Sequence, residues 1–274
     1  MAPSLRACFR GSKSSSDLKR DHLSASTASQ TIEASAEEHR RGPVLVELFS
    51  SQGCATSPEA EVLLSRLGRG DFALEAPVIV LTFHVDYWDH AGWKDPYGSS
   101  QWTVRQKDYI ESLNLDTMFT PQVVVQGRSH CAGNEEESLL SAIMSAQRFP
   151  SPAFQATFQK PSPETLLVSL SGPLRSKIDG EGVNVMVALY ESGLVMDCEG
   201  GENLGMVLAN DYVVRRLEKV ATVKDISAKK VVTAGAQFSL WEGFNGSKCG
   251  VAVFLQNNQH QIFGSQNFPL PDSI

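Results

Sequence analysis

The sequence predicts an α/β domain followed by an antiparallel, all-β domain that resembles a sandwich. Over residues 43–150, apolar runs of strand length alternate with stretches whose apolar residues recur at helical spacing. Over residues 151–274, short strand-like runs follow one another with turn residues between them. Residues 1–42 are rich in serine and alanine and poor in large apolar side chains, so this tail is expected to be disordered.

The composition excludes several classes of protein. The chain has 274 residues, of which 42% are hydrophobic, enough for a sizeable core. Its formal net charge of −7 argues against a nucleic-acid partner, and no apolar run reaches the length of about 18 residues that a membrane span needs. Five scattered cysteines do not form a secreted disulfide framework. We therefore expect a cytoplasmic protein, with organelle import through the N-terminal tail as the alternative.

Seven elements are predicted in the first domain, in the order β-α-β-α-β-β-α. The predicted strands cover residues 43–49, 77–85, 120–125 and 128–132, and the predicted helices cover residues 59–67, 99–113 and 133–148. The first two strands are almost wholly apolar, which is typical of parallel strands buried on both faces. This order of elements is the thioredoxin-like order.

One cysteine lies at the boundary between the first strand and the first helix. Cys54 precedes the helical pattern, so the free N–H groups and the dipole of that helix favour its anionic form. The thiolate is the form that attacks disulfides, and such positions lower the pKa of a cysteine from about 8.5 to roughly 3.5 to 7.5. The alternative interpretation is that Cys54 is a small buried apolar residue.

The dipeptide Thr120-Pro121 opens the third predicted strand. It resembles the cis-proline that lies against the reactive sulfur in thioredoxin-like proteins, where it aligns the substrate. Few X–Pro bonds in folded proteins are cis, so this expectation rests on the resemblance. The alternative is an ordinary trans proline at the edge of a strand.

Longer motifs carry a closer resemblance. They are VELFSSQGC at residues 46–54, HVDYWD at 84–89, GWKDP at 92–96, FTPQ at 119–122, GEN at 201–203 and VVRR at 213–216. With these motifs the chain resembles, over about residues 43–271, the thioredoxin-like family catalogued as domain of unknown function 1223, as a plant-type or eukaryotic-like member. The resemblance implies a thioredoxin-like domain joined to a β-rich domain, and it implies no substrate.

The chain departs from that family at Ser57. Relatives commonly carry a Cys-x-x-Cys pair before a proline, whereas this chain has CATSP at residues 54–58. A second cysteine would resolve the mixed disulfide by attacking the first sulfur, and serine cannot do so. Three possibilities remain: glutathione resolves a monothiol cycle, another cysteine resolves it, or the turn has no redox role. In the redox cases, Ser57 is expected to hydrogen-bond the thiolate of Cys54.

Cys131 is the candidate for a second, resolving cysteine. In the predicted order the third strand runs away from the Cys54 turn and the antiparallel fourth strand returns, so Cys131 is expected near the same edge. A disulfide between the two cysteines would need Cα atoms roughly 4.4 to 6.8 Å apart. The alternative is that Cys131 is a bystander thiol.

Glutathione, as a co-substrate that is not tightly bound, is the other candidate. Thr120-Pro121 and the start of the last predicted helix are similar to the glutaredoxin layout, in which such groups hold this tripeptide. Helix amides near Gly133 and Asn134 would bind its carboxylate, and Glu135 would bind its ammonium group. The alternative is simple capping of the helix by Asn134.

Four polar residues follow the second predicted strand, namely His84, Asp86, Asp89 and His90. Their spacing matches neither a helical nor a zinc-type ligand pattern. No metal site is predicted, and some of these side chains are expected to have packing roles.

Two functional hypotheses result. The first is a monothiol thiol–disulfide oxidoreductase that acts on protein thiols or disulfides, with Cys54 as the nucleophile. The second is a noncatalytic, thioredoxin-like adaptor that binds a partner through the aromatic segment after the second strand or through the β domain. The missing second cysteine favours the adaptor, whereas the retained Cys54 and Pro121 favour the enzyme.

Overall fold

The computed structural model describes residues 41–176, 182–224 and 230–274, so the expected disorder of residues 1–42 concerns a segment that lies almost wholly outside them. In these ranges the α-helices are α1 (Ser57–Arg69), α2 (Ser100–Ser112) and α3 (Glu136–Met144), and 3-10 turns cover Asp89–Ala91, Gly201–Asn203 and Gly246–Lys248. The strands are β1 (Val44–Ser50), β2 (Val78–His84), β3 (Gln122–Val125), β4 (Ser129–Ala132), β5 (Gln155–Ser162), β6 (Thr165–Pro173), β7 (Val183–Glu191), β8 (Leu194–Asp197), β9 (Val207–Asn210), β10 (Val213–Val223), β11 (Val231–Ser239), β12 (Cys249–Gln256) and β13 (Ile262–Pro269). None of the helices in the described ranges is long and apolar enough to cross a membrane.

Local chemistry explains where the first two helices begin and end. Ser99 caps α2, because its side chain accepts a hydrogen bond from the backbone N–H of Gln101. Pro58 lies in the first turn of α1, where its missing N–H is tolerated. The helix ends at Gly70, whose φ of +81° is a left-handed conformation that favours glycine. These bounds lie within a few residues of those that the sequence predicts.

The predicted fold class, a thioredoxin-like α/β domain followed by an antiparallel sandwich-like domain, is wrong. The described residues are mostly β, and strands from both halves of the chain share one mixed sheet in the order β13-β12-β7-β10-β2-β1-β3-β4. The joint between the halves is β10, which lies parallel to β2 and antiparallel to β7. Arg41–Ile274 form one compact unit.

The two halves of the chain share one sheet because the outer edge of β2, the edge away from β1, needs a hydrogen-bonding partner. A buried strand with an unpaired edge leaves N–H and C=O groups without partners, and the chain satisfies this edge with its own C-terminal half. The backbone N–H of Thr82 on β2 donates to the carbonyl oxygen of Tyr212 at 2.8 Å, just before β10 begins. Apolar patterns predict that a strand exists, but they do not predict which strand lies beside it.

Two smaller sheets complete the described part of the chain. The first has the order β11-β6-β5 and packs against the C-terminal strands of the large sheet through a core that contains Val168, Phe238, Val187 and Val253. The second is the antiparallel pair β8-β9, and β9 packs against α1. The sequence predicts a flexible loop at residues 200–205 and no strand at β9, whereas the structure has a 3-10 turn at Gly201–Asn203 followed by β9.

Alternation along β1 assigns its side chains to two cores. Val44, Val46 and Leu48 face the core that contains residues of α1 and α3, whereas Leu45 and Phe49 face the core that contains residues of α2. Successive side chains of a strand point to opposite faces. The central strand is therefore covered on both sides, as its almost wholly apolar sequence predicts.

Glu47 is the charged residue of β1, and it is buried on the α2 face. Arg105 of α2 donates to one carboxylate oxygen from Nε at 2.9 Å and from Nη2 at 2.6 Å, and the hydroxyl of Tyr109 donates to the other oxygen. Burial lowers the pKa of Arg105, but the charge of Glu47 outweighs it and raises the pKa above its usual value. Gln256 of β12 accepts from Arg105 at 3.3 Å, so this ion pair joins the two halves of the sheet.

Replacing Arg105 by methionine should lower the free energy of unfolding by about 3 to 5 kcal/mol, because it leaves Glu47 buried without its partner charge. Denaturant unfolding monitored by circular dichroism would measure the loss. The matched control is Lys107→Met on the exposed face of the same helix, with an expected change within about 0.5 kcal/mol. Equal losses in the two variants would contradict a structural role for the ion pair.

Candidate functional site

The candidate site is the turn between β1 and α1 that carries Cys54. The backbone N–H of Cys54 donates to the carbonyl of Ser51 at 3.1 Å, and the N–H of Ser57 donates to the carbonyl of Cys54 at 3.3 Å. Cys54 comes two residues before the helix N-cap, Thr56. Only 3% of Cys54 is exposed, although Ala55 and Thr56 beside it are exposed. The sulfur therefore lies just beneath the surface, near the positive end of α1.

Hydroxyl groups surround the sulfur of Cys54. Burial raises the pKa of this thiol, but hydrogen bonds from the side chains of Ser57, Thr120 and Thr56 and from the backbone of Thr56 outweigh burial and lower the pKa below its usual value of 9.0. The sulfur lies 3.5 Å from the hydroxyl oxygen of Thr56, and the thiol of Cys54 donates to the carbonyl oxygen of Thr120 at 3.5 Å. This arrangement lowers the pKa of the thiol through hydrogen bonds.

The hydroxyl groups of Thr120 and Ser57 each accept a hydrogen bond, which leaves their own hydrogens available to donate to the sulfur of Cys54. The indole N–H of Trp88, which can only donate, donates to Oγ1 of Thr120 at 2.7 Å. The backbone N–H of Ser51 donates to Oγ of Ser57 at 3.4 Å. Because each hydroxyl oxygen accepts from a neighbour, its hydrogen is free to point at the sulfur of Cys54. The sequence analysis missed Trp88 in this role, although it lies in the motif at residues 84–89.

The bond between Thr120 and Pro121 is cis, as the resemblance implies. Pro121 is buried, and its carbonyl accepts a hydrogen bond from the backbone N–H of Gly133 at 2.8 Å. The space behind the proline is full: a Cβ atom at Gly133 would lie 3.1 Å from Cβ of Pro121 and 3.0 Å from Leu48. Thr120 and Pro121 are thus brought to Cys54, and Gly133 packs behind them.

Asn134 and Glu135, the other two residues predicted to bind glutathione, are exposed at the start of α3. The N-cap of this helix is Glu135, which makes no side-chain capping hydrogen bond, and its carboxylate accepts from the hydroxyl of Ser138 at 3.0 Å. The alternative interpretation, capping by Asn134, is therefore not the arrangement of the structure. Both side chains are open to solvent and available to a ligand.

Cys131 is a free thiol on β4, where it lies opposite Val123 of β3. It packs against the core between the sheet and α1 and α3. Burial and then the negative charge of Glu135 raise the pKa of Cys131 to about 11. At neutral pH its thiolate fraction is therefore very small, which disfavours Cys131 as an attacking group.

A buried carboxylate beneath the turn fixes its backbone. Oδ2 of Asp95 accepts from the backbone N–H of Gln52 at 2.7 Å and lies 2.7 Å from Nδ1 of His84, at the end of β2. Oδ1 of Asp95 accepts from the N–H of Tyr97 at 2.9 Å. Burial raises the pKa of Asp95, but the charge and hydrogen bond of His84, together with the two backbone donors, outweigh burial and lower it.

His84 lies between two carboxylates and is fully buried. Burial lowers its pKa, but the charges of Asp95 and Glu61 outweigh burial and raise it to about 10. Nε2 of His84 lies 3.2 Å from Oε1 of Glu61, which is an ion-pair distance, although neither atom has a hydrogen-bond partner among the described residues. One protonated histidine and two carboxylates leave this cluster with a net charge of −1.

The C-terminal half of the chain also contacts the Cys54 turn. Nδ2 of Asn203, in the 3-10 turn between β8 and β9, donates to the carbonyl of Gln52 at 2.8 Å and to the carbonyl of Cys54 at 3.0 Å. The side chain of Gln52 donates to Asn210 of β9 at 2.7 Å and accepts from the indole N–H of Trp93 at 3.0 Å. Sequence reasoning missed these contacts, because more than 140 residues separate Asn203 and Asn210 from the turn and 41 residues separate Trp93 from Gln52.

Within the described ranges, no group of three or more His, Cys, Asp and Glu residues is arranged to hold a metal ion. The side chains around the cysteine are hydroxyls, amides and indoles, which bind through hydrogen bonds. The site therefore combines a thiol of lowered pKa, hydrogen-bond donors and a cis-proline.

Comparison with known families assigns the chain to one of them. The model of the family described as "Protein of unknown function (DUF1223)" matches residues 45–256, a range that includes Cys54, the cis-proline and Asn203. The chain belongs to this family. No curated protein matches the chain.

Two solved structures resemble this DUF1223 protein. One is an X-ray crystal structure of a protein from Agrobacterium tumefaciens, with 23% identity, 83% of this chain and 94% of that chain covered, and a TM-score of 0.58. The other is HBP35 of Porphyromonas gingivalis, with 13% identity, 84% and 76% covered, and a TM-score of 0.59. At these identities the likeness concerns the fold alone.

The pKa of His84 predicts how the stability of this DUF1223 protein depends on pH. Folding raises that pKa from 6.5 to about 10, so the stabilisation is complete below pH 6.5 and is lost as the pH rises through the folded value. Relative to His84→Gln, the free energy of unfolding of the wild type should fall by up to about 1.4 kcal/mol per pH unit in that window. Parallel stability curves for the two proteins would contradict a charged His84.

Replacing Ser57 by alanine should raise the pKa of the Cys54 thiol, because it removes a side-chain hydrogen bond to the sulfur. The pH dependence of alkylation by iodoacetamide, followed by mass, would measure the change. Ser65→Ala, on the same helix, is the control and should leave the pKa unchanged. An unaltered pKa in Ser57→Ala would show that this hydroxyl does not stabilise the thiolate.

Proposed function

We propose that the protein is a monothiol thiol–disulfide oxidoreductase, in which Cys54 is the nucleophile and glutathione is the co-substrate. The observation that carries the proposal is the position of the sulfur, 3.5 Å from the hydroxyl of Thr56 and just before α1, where side-chain hydrogen bonds of Ser57, Thr120 and Thr56 lower the pKa of Cys54 despite its burial. A buried cysteine with only a packing role needs no such donors. The proposed partners are protein thiols that form mixed disulfides.

The first step is attack by the Cys54 thiolate on the sulfur of glutathione in a protein–glutathione mixed disulfide. A disulfide forms between Cys54 and glutathione, the original disulfide bond breaks, and the protein leaves as a thiolate that takes a proton from water. Thr120, whose carbonyl oxygen lies 3.5 Å from the sulfur and which precedes the cis bond to Pro121, is the proposed contact that aligns the incoming disulfide. Asn134 and Glu135 are the proposed contacts for glutathione.

The second step regenerates the enzyme. A second glutathione thiolate attacks the glutathione sulfur of the adduct, so oxidised glutathione forms and Cys54 leaves as the thiolate. Ser57 cannot take this role, because it has no sulfur. Cys131 is a poor alternative, since its pKa of about 11 leaves it protonated. The cycle needs reduced glutathione, so we propose the cytoplasm as its compartment.

Removal of glutathione from a glutathionylated peptide, in the presence of reduced glutathione, tests this proposal. Cys54→Ser should reduce the rate to that of the uncatalysed exchange, whereas Cys131→Ser and Cys249→Ser should keep the wild-type rate. Ser57→Cys should form a disulfide with Cys54 and gain a cycle that a dithiol reductant can drive. Full activity in Cys54→Ser would refute the proposal.

A second candidate function, a noncatalytic adaptor, is favoured by one observation. Cys54 is only 3% exposed, whereas Val195, Leu204, Met206 and Val207 of the neighbouring β8–β9 segment are each at least 45% exposed. Exposed apolar groups of this kind mark interaction surfaces. For an adaptor, Cys54→Ser leaves partner capture intact and the wild type shows no exchange activity, which distinguishes this function from the first.

A further inference from the structure

A small depression lies beside the Cys54 turn, between α1 and β9. Its volume is about 140 Å³. Ser57, which hydrogen-bonds the sulfur of Cys54, is one of its lining residues, so the depression begins next to the reactive group. The mechanism proposed above does not use it.

The inner lining of the depression carries, among the described residues, a hydroxyl without a hydrogen-bond partner and a carboxylate whose Oε1 contacts the ring of His84 at 3.2 Å without a hydrogen bond. Ser50 and Glu61 line it, and they are 0% and 4% exposed. Oγ of Ser50 and Oε1 of Glu61 have no hydrogen-bond partner among the described residues. The cluster of Glu61, Asp95 and His84 has a net charge of −1, and a buried uncompensated charge is costly. This lining therefore favours a cation that can donate hydrogen bonds.

The outer walls are apolar and exposed. Val62 of α1 and Met206 and Val207 at the start of β9 line the depression, and they are 57%, 45% and 66% exposed. They offer contact to an aliphatic chain that passes between them. A ligand that fits both walls and inner lining has an apolar stem and a cationic end.

The surroundings of the depression are acidic. Residues 194–210, which form β8, the 3-10 turn and β9, contain Asp197, Glu199 and Glu202 and no lysine or arginine. All three carboxylates belong to exposed residues. A basic segment is therefore attracted to this side of the Cys54 turn, and an acidic segment is repelled.

We propose that this depression binds a lysine side chain of the protein whose cysteine reacts at Cys54. The lysine stem packs between Val62, Met206 and Val207, and its ammonium group reaches Ser50 and Glu61. This inference rests on the proposed function and adds the substrate class: glutathionylated segments that carry a lysine within a few residues of the modified cysteine. Lysine fits better than arginine because its ammonium is compact, whereas the planar guanidinium needs more room.

The direct test compares three glutathionylated peptides that differ at one position near the cysteine. The position carries lysine, norleucine or glutamate, so norleucine retains the aliphatic stem and removes the charge. We expect kcat/KM to be about tenfold higher for lysine than for norleucine, and lower again for glutamate, with the lysine advantage reduced at high salt. Equal values for the three peptides would overturn the proposal.

Exposed residues of the wall provide a variant that should fold. Met206→Ser/Val207→Thr should remove most of the preference for lysine over glutamate peptides, because the stem loses its contacts. The matched control is Met144→Ser/Val231→Thr, which changes residues of the same types, also exposed, at other places. A preference that survives in the wall variant would place the lysine elsewhere and overturn the assignment.

A binding measurement separates this inference from the proposed function. Fluorescence anisotropy of Cys54→Ser with labelled peptides whose cysteine is replaced by serine reports binding without chemistry. Tighter binding of the lysine peptide supports the depression as its site even where the exchange activity fails. If exchange activity is present but neither assay shows a preference for the lysine peptide, the proposed function stands and the lysine site is overturned.

Discussion

The candidate site depends on one buried carboxylate. Asp95 accepts hydrogen bonds from the backbone N–H groups of Gln52 and Tyr97 and lies against the charged ring of His84. It thereby joins the Cys54 turn, the end of β2 and the aromatic segment that follows β2. A buried carboxylate is stable only when such partners surround it, so each partner constrains the others. The position of the turn follows from this constraint.

The lowered pKa of Cys54 results from hydrogen bonds with the groups around it. Trp88 donates to Thr120, and the N–H of Ser51 donates to Ser57, so both hydroxyls can donate onward to the sulfur. Asn203 satisfies the carbonyl oxygens of the turn from the opposite side. The pKa of the Cys54 thiol is thus lowered in a place that solvent barely reaches.

Local sequence patterns predicted several elements around Cys54, but they could not predict which distant segments pair with those elements. The strand before Cys54 and the helix after it were predicted, because they depend on short stretches of sequence, whereas the cis bond before Pro121 was expected from the family resemblance. The pairing of β10 with β2 and the contact of Asn203 with the turn were not, because apolar periodicity contains no information about distant partners. A signal did exist: Trp88, Asp95 and Asn203 all lie in the motifs that carry the family resemblance.

The central claim, that Cys54 is a nucleophile resolved by glutathione, is tested most directly by the mass of the trapped intermediate. The protein is mixed with a glutathionylated peptide, quenched with acid within the first turnover, and digested for mass analysis. The account predicts one glutathione on Cys54, which reduced glutathione removes before the quench. An unmodified Cys54, or glutathione on Cys131, Cys198 or Cys249 instead, would contradict it.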